Sequence, residues 1–412
     1  MSDDLRSELN RLAPTPTRRL DPAALVAEGR RRRRGRYIVY AAAAVVAGVV
    51  VTTGSRAIDL ANRENESIPA APATTPPAAD FAPGWTQLPS SPEVRTGPAA
   101  AWTGTQLLVW GGYVYTGYSD EAPAANGFFW DATTEAWASL PESPLHPRSF
   151  PAAAWTGREL IVWGGWDGVE AFFDDGAAFD PETGEWRSLP ESPLTPRAPL
   201  SVWTGSELLV WGTDVRVDDP HRDGAAYDPE SDTWRTIAPA PIALTDATAV
   251  WSGSEMIVFG ARLGRNNDAA TETAIGAAYD PATDSWRQLT DSTLSPQAST
   301  AAWDGREMIA WDYLNESAAY DPARDRWRSL PQVPLDSMEC VPEALSLGES
   351  VFGHYCGESV EFDRSRDGWR VVSHREILGT GATLVSGDRS VFLMVRGVET
   401  KKEATFVYRP GG

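Results

Sequence analysis

The stretch PAAAWTGRELIVWGGWDGVEAFFDDGAAFDPETGEWRSLP, residues 151–190, decides the fold of this chain. PAAAW and ELIVW flank a Thr-Gly turn, and GAAFD and WRSLP flank a Pro-Glu-Thr-Gly turn. Short apolar runs that are rich in aromatic and branched residues and bounded by Gly and Pro are typical of β-strands. Two hairpins in series predict a four-stranded antiparallel sheet, which needs neighbouring copies to bury both of its apolar faces.

The same unit recurs from Phe81 to the end of the chain, with a period of roughly 50 residues. The Trp before each first turn occurs at Trp102, Trp155, Trp203, Trp251 and Trp303. The Asp that ends each third strand occurs at Asp131, Asp180, Asp228, Asp280 and Asp321. The Trp of each fourth strand occurs at Trp137, Trp186, Trp234, Trp286 and Trp327. These markers predict packing between sheets for the Trp residues and turn capping for the Asp residues.

Two further copies complete the set. The sixth is weaker, but it keeps Asp363 and Trp369. The seventh supplies only three strands, and WTQLP around Trp85 matches the missing fourth strand. A strand from the N-terminus that completes the last sheet closes a ring without exposed edges between its ends. We therefore predict an all-β fold: a seven-bladed β-propeller over residues 81–412, closed by an N-terminal strand.

The repeats resemble the kelch family, a propeller class that includes galactose oxidase. The resemblance lies in the Gly-Gly pairs at 111–112 and 164–165, in Tyr/Phe-Asp-Pro-x-Thr-x-x-Trp, and in the Leu-Pro and Pro-Arg pairs. Gly212-Thr213, Gly260-Ala261 and Asp312-Tyr313 depart from the Gly-Gly pattern. The resemblance implies the fold but leaves the function open, because kelch propellers include enzymes, scaffolds and receptor ectodomains.

The N-terminal region predicts a membrane anchor. Residues 1–36 hold ten Arg against five acidic residues, and the apolar stretch 37–53 (YIVYAAAAVVAGVVVTT) follows. Seventeen helical residues span about 25 Å, close to the hydrocarbon thickness of a bilayer. The positive-inside rule makes 1–36 a cytoplasmic basic tail, 37–53 a transmembrane signal-anchor helix and the propeller extracytoplasmic. A cleaved signal peptide and a buried soluble helix remain alternatives for 37–53.

The rest of the chain is acidic, which argues against a nucleic-acid partner. Residues 54–80 are rich in Pro, Ala and Thr and predict a semi-rigid linker. The net charge of the whole chain is −21. An acidic body repels phosphate backbones, so no nucleic-acid partner is expected. We expect a single-pass protein of the cell membrane that presents its propeller outside the cytoplasm.

Candidate binding residues lie on one face of the predicted ring. The second-to-third loops and the connections between blades are long and varied, whereas the turns of the other face are short and repetitive, and such loading marks a binding face. The candidates from these segments are Arg95, Arg148, Arg197, Trp166, Asp167, Glu170, Asp174, Asp175, Asp214 and Asp246. The three Arg could clamp a carboxylate or sulfate, or instead pair with the acidic loops and bond backbone carbonyls.

Catalytic alternatives find less support in the residues. A copper centre like that of galactose oxidase needs two His, two Tyr and a Cys, whereas this chain has four His on separate repeats. A sialidase-like site would use an arginine triad, for which Arg95, Arg148 and Arg197 are available. We therefore expect no cofactor and no metal, and a non-catalytic module that binds a protein or a cell-surface glycan. A carbohydrate-active enzyme (sialidase-, epimerase- or lyase-like) with its site at the channel mouth is the alternative.

The two cysteines of the chain predict a disulfide. Cys340 and Cys356 flank Gly348 symmetrically in the first hairpin of the sixth repeat. That symmetry makes them near-opposite neighbours on adjacent strands. In an oxidising compartment we expect them to be bonded, although two free buried thiols remain possible.

Overall fold

The computed structural model describes most of the repeat region. It covers residues 81–115, 121–169, 171–212, 221–262, 274–295, 300–312, 314–335, 343–355, 358–372, 379–387, 389–397 and 403–411. All secondary structure in these segments is strand and turn, and none of it is a helix long and apolar enough to cross a membrane. The predicted tail, transmembrane helix and linker (1–36, 37–53 and 54–80) lie outside the described residues.

The strands are short and follow the predicted runs. The first eight are β1 (Gly84–Leu88), β2 (Arg95–Thr96), β3 (Ala99–Trp102), β4 (Gln106–Trp110), β5 (Tyr113–Tyr115), β6 (Glu121–Pro123), β7 (Gly127–Asp131) and β8 (Ala136–Ser139). The next twelve are β9 (Ala152–Trp155), β10 (Leu160–Trp163), β11 (Gly176–Asp180), β12 (Glu185–Ser188), β13 (Leu200–Trp203), β14 (Leu208–Trp211), β15 (Gly224–Asp228), β16 (Thr233–Ile237), β17 (Leu244–Trp251), β18 (Met256–Arg262), β19 (Ile275–Asp280) and β20 (Ser285–Gln288). The last eleven are β21 (Thr300–Trp303), β22 (Met308–Trp311), β23 (Ser317–Asp321), β24 (Arg326–Ser329), β25 (Glu343–Leu347), β26 (Ser350–Tyr355), β27 (Glu358–Asp363), β28 (Gly368–Val371), β29 (Gly379–Ser386), β30 (Val391–Gly397) and β31 (Glu403–Arg409).

These strands form seven four-stranded antiparallel sheets and one small three-stranded sheet. Sheet 1 has the order β3-β4-β7-β8, and sheets 2 to 6 each use four consecutive strands, from β9 to β28. Sheet 7 joins the two ends of the propeller region, because β1 pairs with β31 beside β30 and β29. The small sheet contains β2, β5 and β6.

The first strands of the seven sheets contact one another in a cyclic order. The series of contacts runs β3, β9, β13, β17, β21, β25, β29 and back to β3. We call the interface between two neighbouring sheets a seam and name it by their numbers. Each seam holds its own apolar core, so seam 1/2 packs Trp110 and Val162, whereas seam 7/1 packs Trp102 and Phe392. Burial of both faces explains why a single sheet is not stable by itself.

The Trp of each fourth strand also forms a hydrogen bond across its seam. Six of these indoles donate their Nε1–H to a backbone carbonyl at the end of the preceding sheet, as Trp186 donates to Pro141 O at 3.2 Å. Trp369 donates to the Ser317 hydroxyl instead. Sheet 7 follows the rule through Trp85 and Val372, and sheet 1 through Trp137 and Pro89. The Trp series therefore both packs and hydrogen-bonds, and only the packing was predicted.

Candidate functional site

Sheets 1 and 2 carry additional structure at the ends where their second and third strands connect. In sheet 1 the connection forms β5 and β6, and β2 from the preceding segment pairs with β5 through Arg95 and Val114. In sheet 2 the matching connection folds back, with bridges from Ser149 to Trp166 and from Trp166 to Phe172. These additions lie on the predicted loop-rich face.

An aromatic cluster joins the two additions. The ring of Tyr113 lies 5.9 Å from that of Phe150 and 6.0 Å from that of Trp166. Trp166 stacks on Phe172 with ring centroids 6.3 Å apart. Tyr113 and Phe150 are buried, whereas Trp166 and Phe172 are only partly covered. We call Tyr113, Phe150, Trp166 and Phe172 the aromatic cluster, and it presents a half-exposed apolar shelf on buried supports.

Phe150 adopts an unusual backbone conformation to reach this position. Its φ is 53°, in the left-handed region that bulky residues rarely adopt. Its N–H donates to Gly97 O at 2.7 Å, and a Cβ placed on Gly97 would lie 2.2 Å from the Phe150 ring. Such strain costs on the order of 1–3 kcal/mol and concentrates at functional sites. Phe150 and Gly97 are therefore matched in shape, and neither was a sequence candidate.

Asp167 shapes the loop that carries the exposed shelf. Its Oδ1 accepts hydrogen bonds from the N–H groups of Val169, at 2.8 Å, and Ala171, at 2.9 Å. A Cβ on Gly168 would lie 2.6 Å from the Tyr113 hydroxyl, so the loop backbone packs against that ring. Val169 at the tip is 75% exposed. Asp167 thus has a local structural role, and its neighbour Glu170 lies outside the described residues.

Arg148 is buried under the same loop. Its Nη1 donates to Asp175 Oδ1 at 2.7 Å and to Gly164 O at 3.2 Å, and its Nε donates to His146 O at 3.1 Å. The guanidinium lies 4.1 Å from the centroid of the Phe173 ring. Burial lowers the pKa of Arg148, and the hydrogen bond that its guanidinium donates to Asp175 opposes that shift. Arg148 therefore ties the connection between sheets 1 and 2 to the loop of sheet 2.

Arg95 and Arg197 repeat this arrangement in sheets 1 and 3. Arg197 forms a two-pronged pair with the Asp223 carboxylate, at 3.0 and 3.1 Å. Arg95 donates to Gly111 O at 2.9 Å and pairs with Glu93 at 2.6 Å. All three arginine side chains are at most 1% exposed. Their geometry matches the alternative in which they bond the acidic loops and backbone carbonyls.

The remaining sequence candidates fall in different places. Asp174 is exposed beside the aromatic cluster, and Asp175 is half exposed although it pairs with Arg148. Asp246 lies in β17, but its side chain is outside the described part of the structure, as is all of Asp214. Cys340 and Cys356 also lie outside it, so the disulfide stays a prediction. The structure thus groups Trp166, Asp167, Arg148, Asp174 and Asp175 at seam 1/2.

The opposite face carries a second network, which sequence reasoning missed. In seam 4/5, Arg287 of β20 forms a two-pronged pair with the Glu255 carboxylate, at 2.8 and 2.7 Å. Its Nη1 also donates to the Tyr320 hydroxyl of the next sheet at 2.8 Å, and that hydroxyl donates to Asp325 at 2.7 Å. We call this repeating network the polar ladder. Its arginines are Arg187, Arg235, Arg287, Arg328 and Arg370.

Among the described residues, the polar ladder spans the five seams from 2/3 to 6/7, with Arg328 reaching Asp367 directly at seam 5/6, and it does not form at seams 7/1 and 1/2. In sheet 1, Ala138 follows the fourth-strand Trp where five other sheets have Arg, and Gln106 replaces the ladder Glu. In sheet 2, Phe179 and Gly184 replace the receiving Tyr and Asp. At seam 1/2, therefore, both the donor side in sheet 1 and the receiving side in sheet 2 lack the ladder residues. The sequence signal was the recurring Trp-Arg pair.

Within the described segments, no group of three His, Cys, Asp or Glu side chains could hold a metal ion. The arginines offered for a sialidase-like triad are buried and each bonded within its own sheet. The half-exposed aromatic shelf is suited instead to burying apolar surface of a partner, since aromatic residues are enriched where proteins associate.

One comparison with known proteins matches the type of repeat. Residues 83–260 match the family model described as the KLHDC2/KLHL20/DRC7 Kelch-repeats domain. This match supports a kelch β-propeller, and kelch domains suggest a role in protein interaction. Among solved structures, "Structure of YjhT" aligns with a TM-score of 0.48 and 15% identity, over 69% of this chain and 99% of that one. The curated proteins yielded no match.

Proposed function

We propose that this protein is a binding module that engages a protein partner through the loop face of sheets 1 and 2, outside the cytoplasm. The observation that carries the proposal is the aromatic cluster, which is built from segments added to the repeat and is held by a strained Phe150. The cluster is independent of the Trp hydrogen bonds and of the polar ladder. Segments that are added to a repeat and are not required for packing between its sheets are where a binding site is expected.

The chemistry of the shelf favours a protein over a glycan. Trp166 and Phe172 stack on each other and are both partly exposed, so they present adjoining apolar rings. Two of the nearby carboxylates are engaged already, because Asp167 accepts hydrogen bonds from backbone N–H groups and Asp175 pairs with Arg148. A sugar needs several free donors and acceptors, whereas an apolar side chain needs only a shaped hydrophobic surface. A glycan partner would contradict this part of the proposal.

The test uses two exposed valines as a matched pair. Val169 is 75% exposed at the shelf, and Val371 is 57% exposed on the outer strand of sheet 6. A photo-crosslinking amino acid is placed at either position in the full chain, and intact cells are irradiated. We expect discrete protein adducts from Val169 and none from Val371. Equal adducts from both positions, or a polysaccharide adduct from Val169 alone, would overturn the proposal.

We also propose that sheets 1 to 7 are the blades of one closed ring held on a membrane anchor. The cyclic contacts of the first strands and the pairing of β1 with β31 support the ring. The apolar stretch 37–53 supports the anchor. Alkaline carbonate extraction should leave the full chain in the membrane fraction. Protease added to intact cells should degrade the repeat region, and survival of that region would contradict the topology.

A disulfide between Cys340 and Cys356 belongs to the same proposal, since an exported domain meets oxidising conditions. Peptide mapping under non-reducing conditions should yield one crosslinked peptide that contains both residues. Alkylation of both thiols in the native, unreduced protein would contradict it.

A further inference from the structure

The outer strands of the sheets differ in charge. Five of them carry the Trp-Arg pair of the polar ladder: β12, β16, β20, β24 and β28. The outer strand of sheet 1, β8, reads Ala136-Trp137-Ala138-Ser139, and that of sheet 7, β1, reads GWTQL. Neither contains a charged residue. We call β1 and β8 the uncharged edge.

An uncharged edge strand is open to pairing with another strand. Each outer strand is paired on one side only, so alternate backbone N–H and C=O groups face outward. Soluble proteins protect such edges with charged side chains, Pro or bulges. In β8, Ala136, Ala138 and Ser139 are exposed and Trp137 is half-buried against Pro89. The four-residue strand has small side chains and no charge to oppose a partner strand.

The path of the chain points to a second copy as that partner. Phe81 packs against Trp102 and Trp130 of sheet 1 and against Phe392 of sheet 7. The described part of the chain therefore begins at seam 7/1, between the two sheets that carry the uncharged edge. Anchored copies have a raised effective concentration, and their linkers attach in this sector.

We propose that β8 pairs antiparallel with β8 of a second copy about a two-fold axis, forming a dimer of the anchored protein. This inference rests on the anchor of the proposed function and not on the aromatic cluster. A two-fold contact places the same strand on both sides, which a short uncharged strand permits. The full chain carries a net charge of −21, so two copies repel each other as they approach, and an uncharged strand adds no further repulsion at the contact.

The repulsion between the two copies makes the dimer fraction depend on salt concentration. Added salt screens the repulsion between two acidic bodies, with a screening length near 10 Å at 0.1 M and about 3 Å at 1 M. Since the edge contains no ion pair that salt could weaken, the dimer fraction should increase with ionic strength. An interface built on salt bridges would weaken instead.

Three matched serines test the geometry. Ser139, Ser188 and Ser329 end the outer strands of sheets 1, 2 and 5 and are all exposed. A photo-crosslinking amino acid replaces each in turn in the full chain, and detergent-purified ¹⁴N- and ¹⁵N-labelled samples are mixed before irradiation. We expect a crosslinked dimer from position 139 only, with mixed-isotope peptides that join two β8 strands. Dimers of equal yield from all three positions, or adducts to other proteins alone, overturn the proposal.

A charged residue introduced into β8 should prevent pairing between two copies without preventing the sheet from folding. Ala138→Arg gives β8 the Trp-Arg-Ser sequence that β12 and β24 already have, so the sheet itself should tolerate it. We expect at least a tenfold loss of the position-139 dimer, with an unchanged melting temperature and an unchanged Val169 crosslink. Survival of the dimer in this variant would contradict the proposal. Loss of the Val169 adduct alone would instead count against the proposed function.

Discussion

Seams 4/5 and 7/1 hold neighbouring sheets together by different means. Seam 4/5 combines its apolar core with the ladder of Arg287, Glu255 and Tyr320. Seam 7/1 has no ladder among its described residues, and it packs Phe81, Trp102, Trp130 and Phe392 into one aromatic group. Specific polar pairing therefore fixes how neighbouring sheets align at the ladder seams. Seam 7/1, which we call the closing seam, depends instead on apolar burial near the two ends of the propeller region.

The largest expected effect is at the closing seam. Trp102 is 5% exposed and its ring lies 4.6 Å from that of Phe392. Trp102→Ala should lower the free energy of unfolding by about 3–5 kcal/mol, as for other buried aromatic truncations. In hydrogen exchange, β31 should lose protection with this variant and keep it with Trp303→Ala, which alters a ladder seam. Equal loss from both variants would remove the distinction between the seams.

A buried histidine in seam 6/7 should make the stability of that seam depend on pH. His354 is buried, its Nδ1 lies 3.0 Å from Ser359 Oγ, and burial lowers its pKa to about 4. Because the pKa of His354 is lower in the folded protein than the ordinary 6.5, the folded state requires a neutral imidazole. The stability that depends on the neutral form is fully present above pH 6.5 and is lost as pH falls through 4. The loss is on the order of 3 kcal/mol. His354→Gln should flatten the melting temperature between pH 6.5 and 4, and an unchanged slope would refute it.

Glu343 lies opposite His354 across β25 and β26 and titrates in the other direction. Burial raises its pKa to about 8, so its contribution is present at low pH and lost as pH rises from about 4 through 8. Glu343→Gln should therefore raise the melting temperature at pH 8.5 relative to that at pH 5. The Trp102 side chain does not titrate, so Trp102→Ala should shift the melting curve equally at both pH values.

A smaller effect is expected from removal of one ladder arginine. Arg287 is about one-third exposed, so solvent screens part of its pairing with Glu255. Arg287→Met should lower the free energy of unfolding by about 1–2 kcal/mol, because it leaves the Glu255 carboxylate without its partner and removes one of the two hydrogen bonds of the Tyr320 hydroxyl. Arg324→Met removes a more exposed pair with Asp321 and serves as the control. Urea denaturation should separate the two variants, and an equal effect would show that the ladder is only a surface feature.

The smallest effect is expected when a ladder is built at seam 1/2. The residues of seam 4/5 are copied by four changes made together: Gln106→Glu, Ala138→Arg, Phe179→Tyr and Gly184→Asp. Gly184 has a φ of 73°, in the same left-handed region as Asp325 at 47°. We expect a gain of about 0.5–1 kcal/mol, with the four changes coupled rather than additive. A loss of stability would mean that seam 1/2 is incompatible with polar pairing.

The repeat markers were sufficient to predict the sheets, since Trp155, Asp180 and Trp186 report local turns and strand alternation. They could not reveal the polar ladder, because Arg287 and Tyr320 belong to different repeats and meet only when the sheets pack. Trp166 and Asp167 became sequence candidates because they interrupt the repeat, and their role in binding stays a prediction. Phe150 and Gly97 were missed because their importance lies in a backbone conformation and a close approach, for which a single sequence provides no periodic signal.

Photo-crosslinking from Val169, repeated in two variant backgrounds, tests the central claim that recognition is separate from the scaffold. Trp166→Ser with Phe172→Ser removes the exposed shelf, and Arg287→Met weakens a distant ladder seam. The account predicts that the Val169 adduct disappears in the first background and persists in the second, while both proteins remain folded by circular dichroism. An adduct that persists without the shelf, or that vanishes with Arg287→Met in a folded protein, would contradict it.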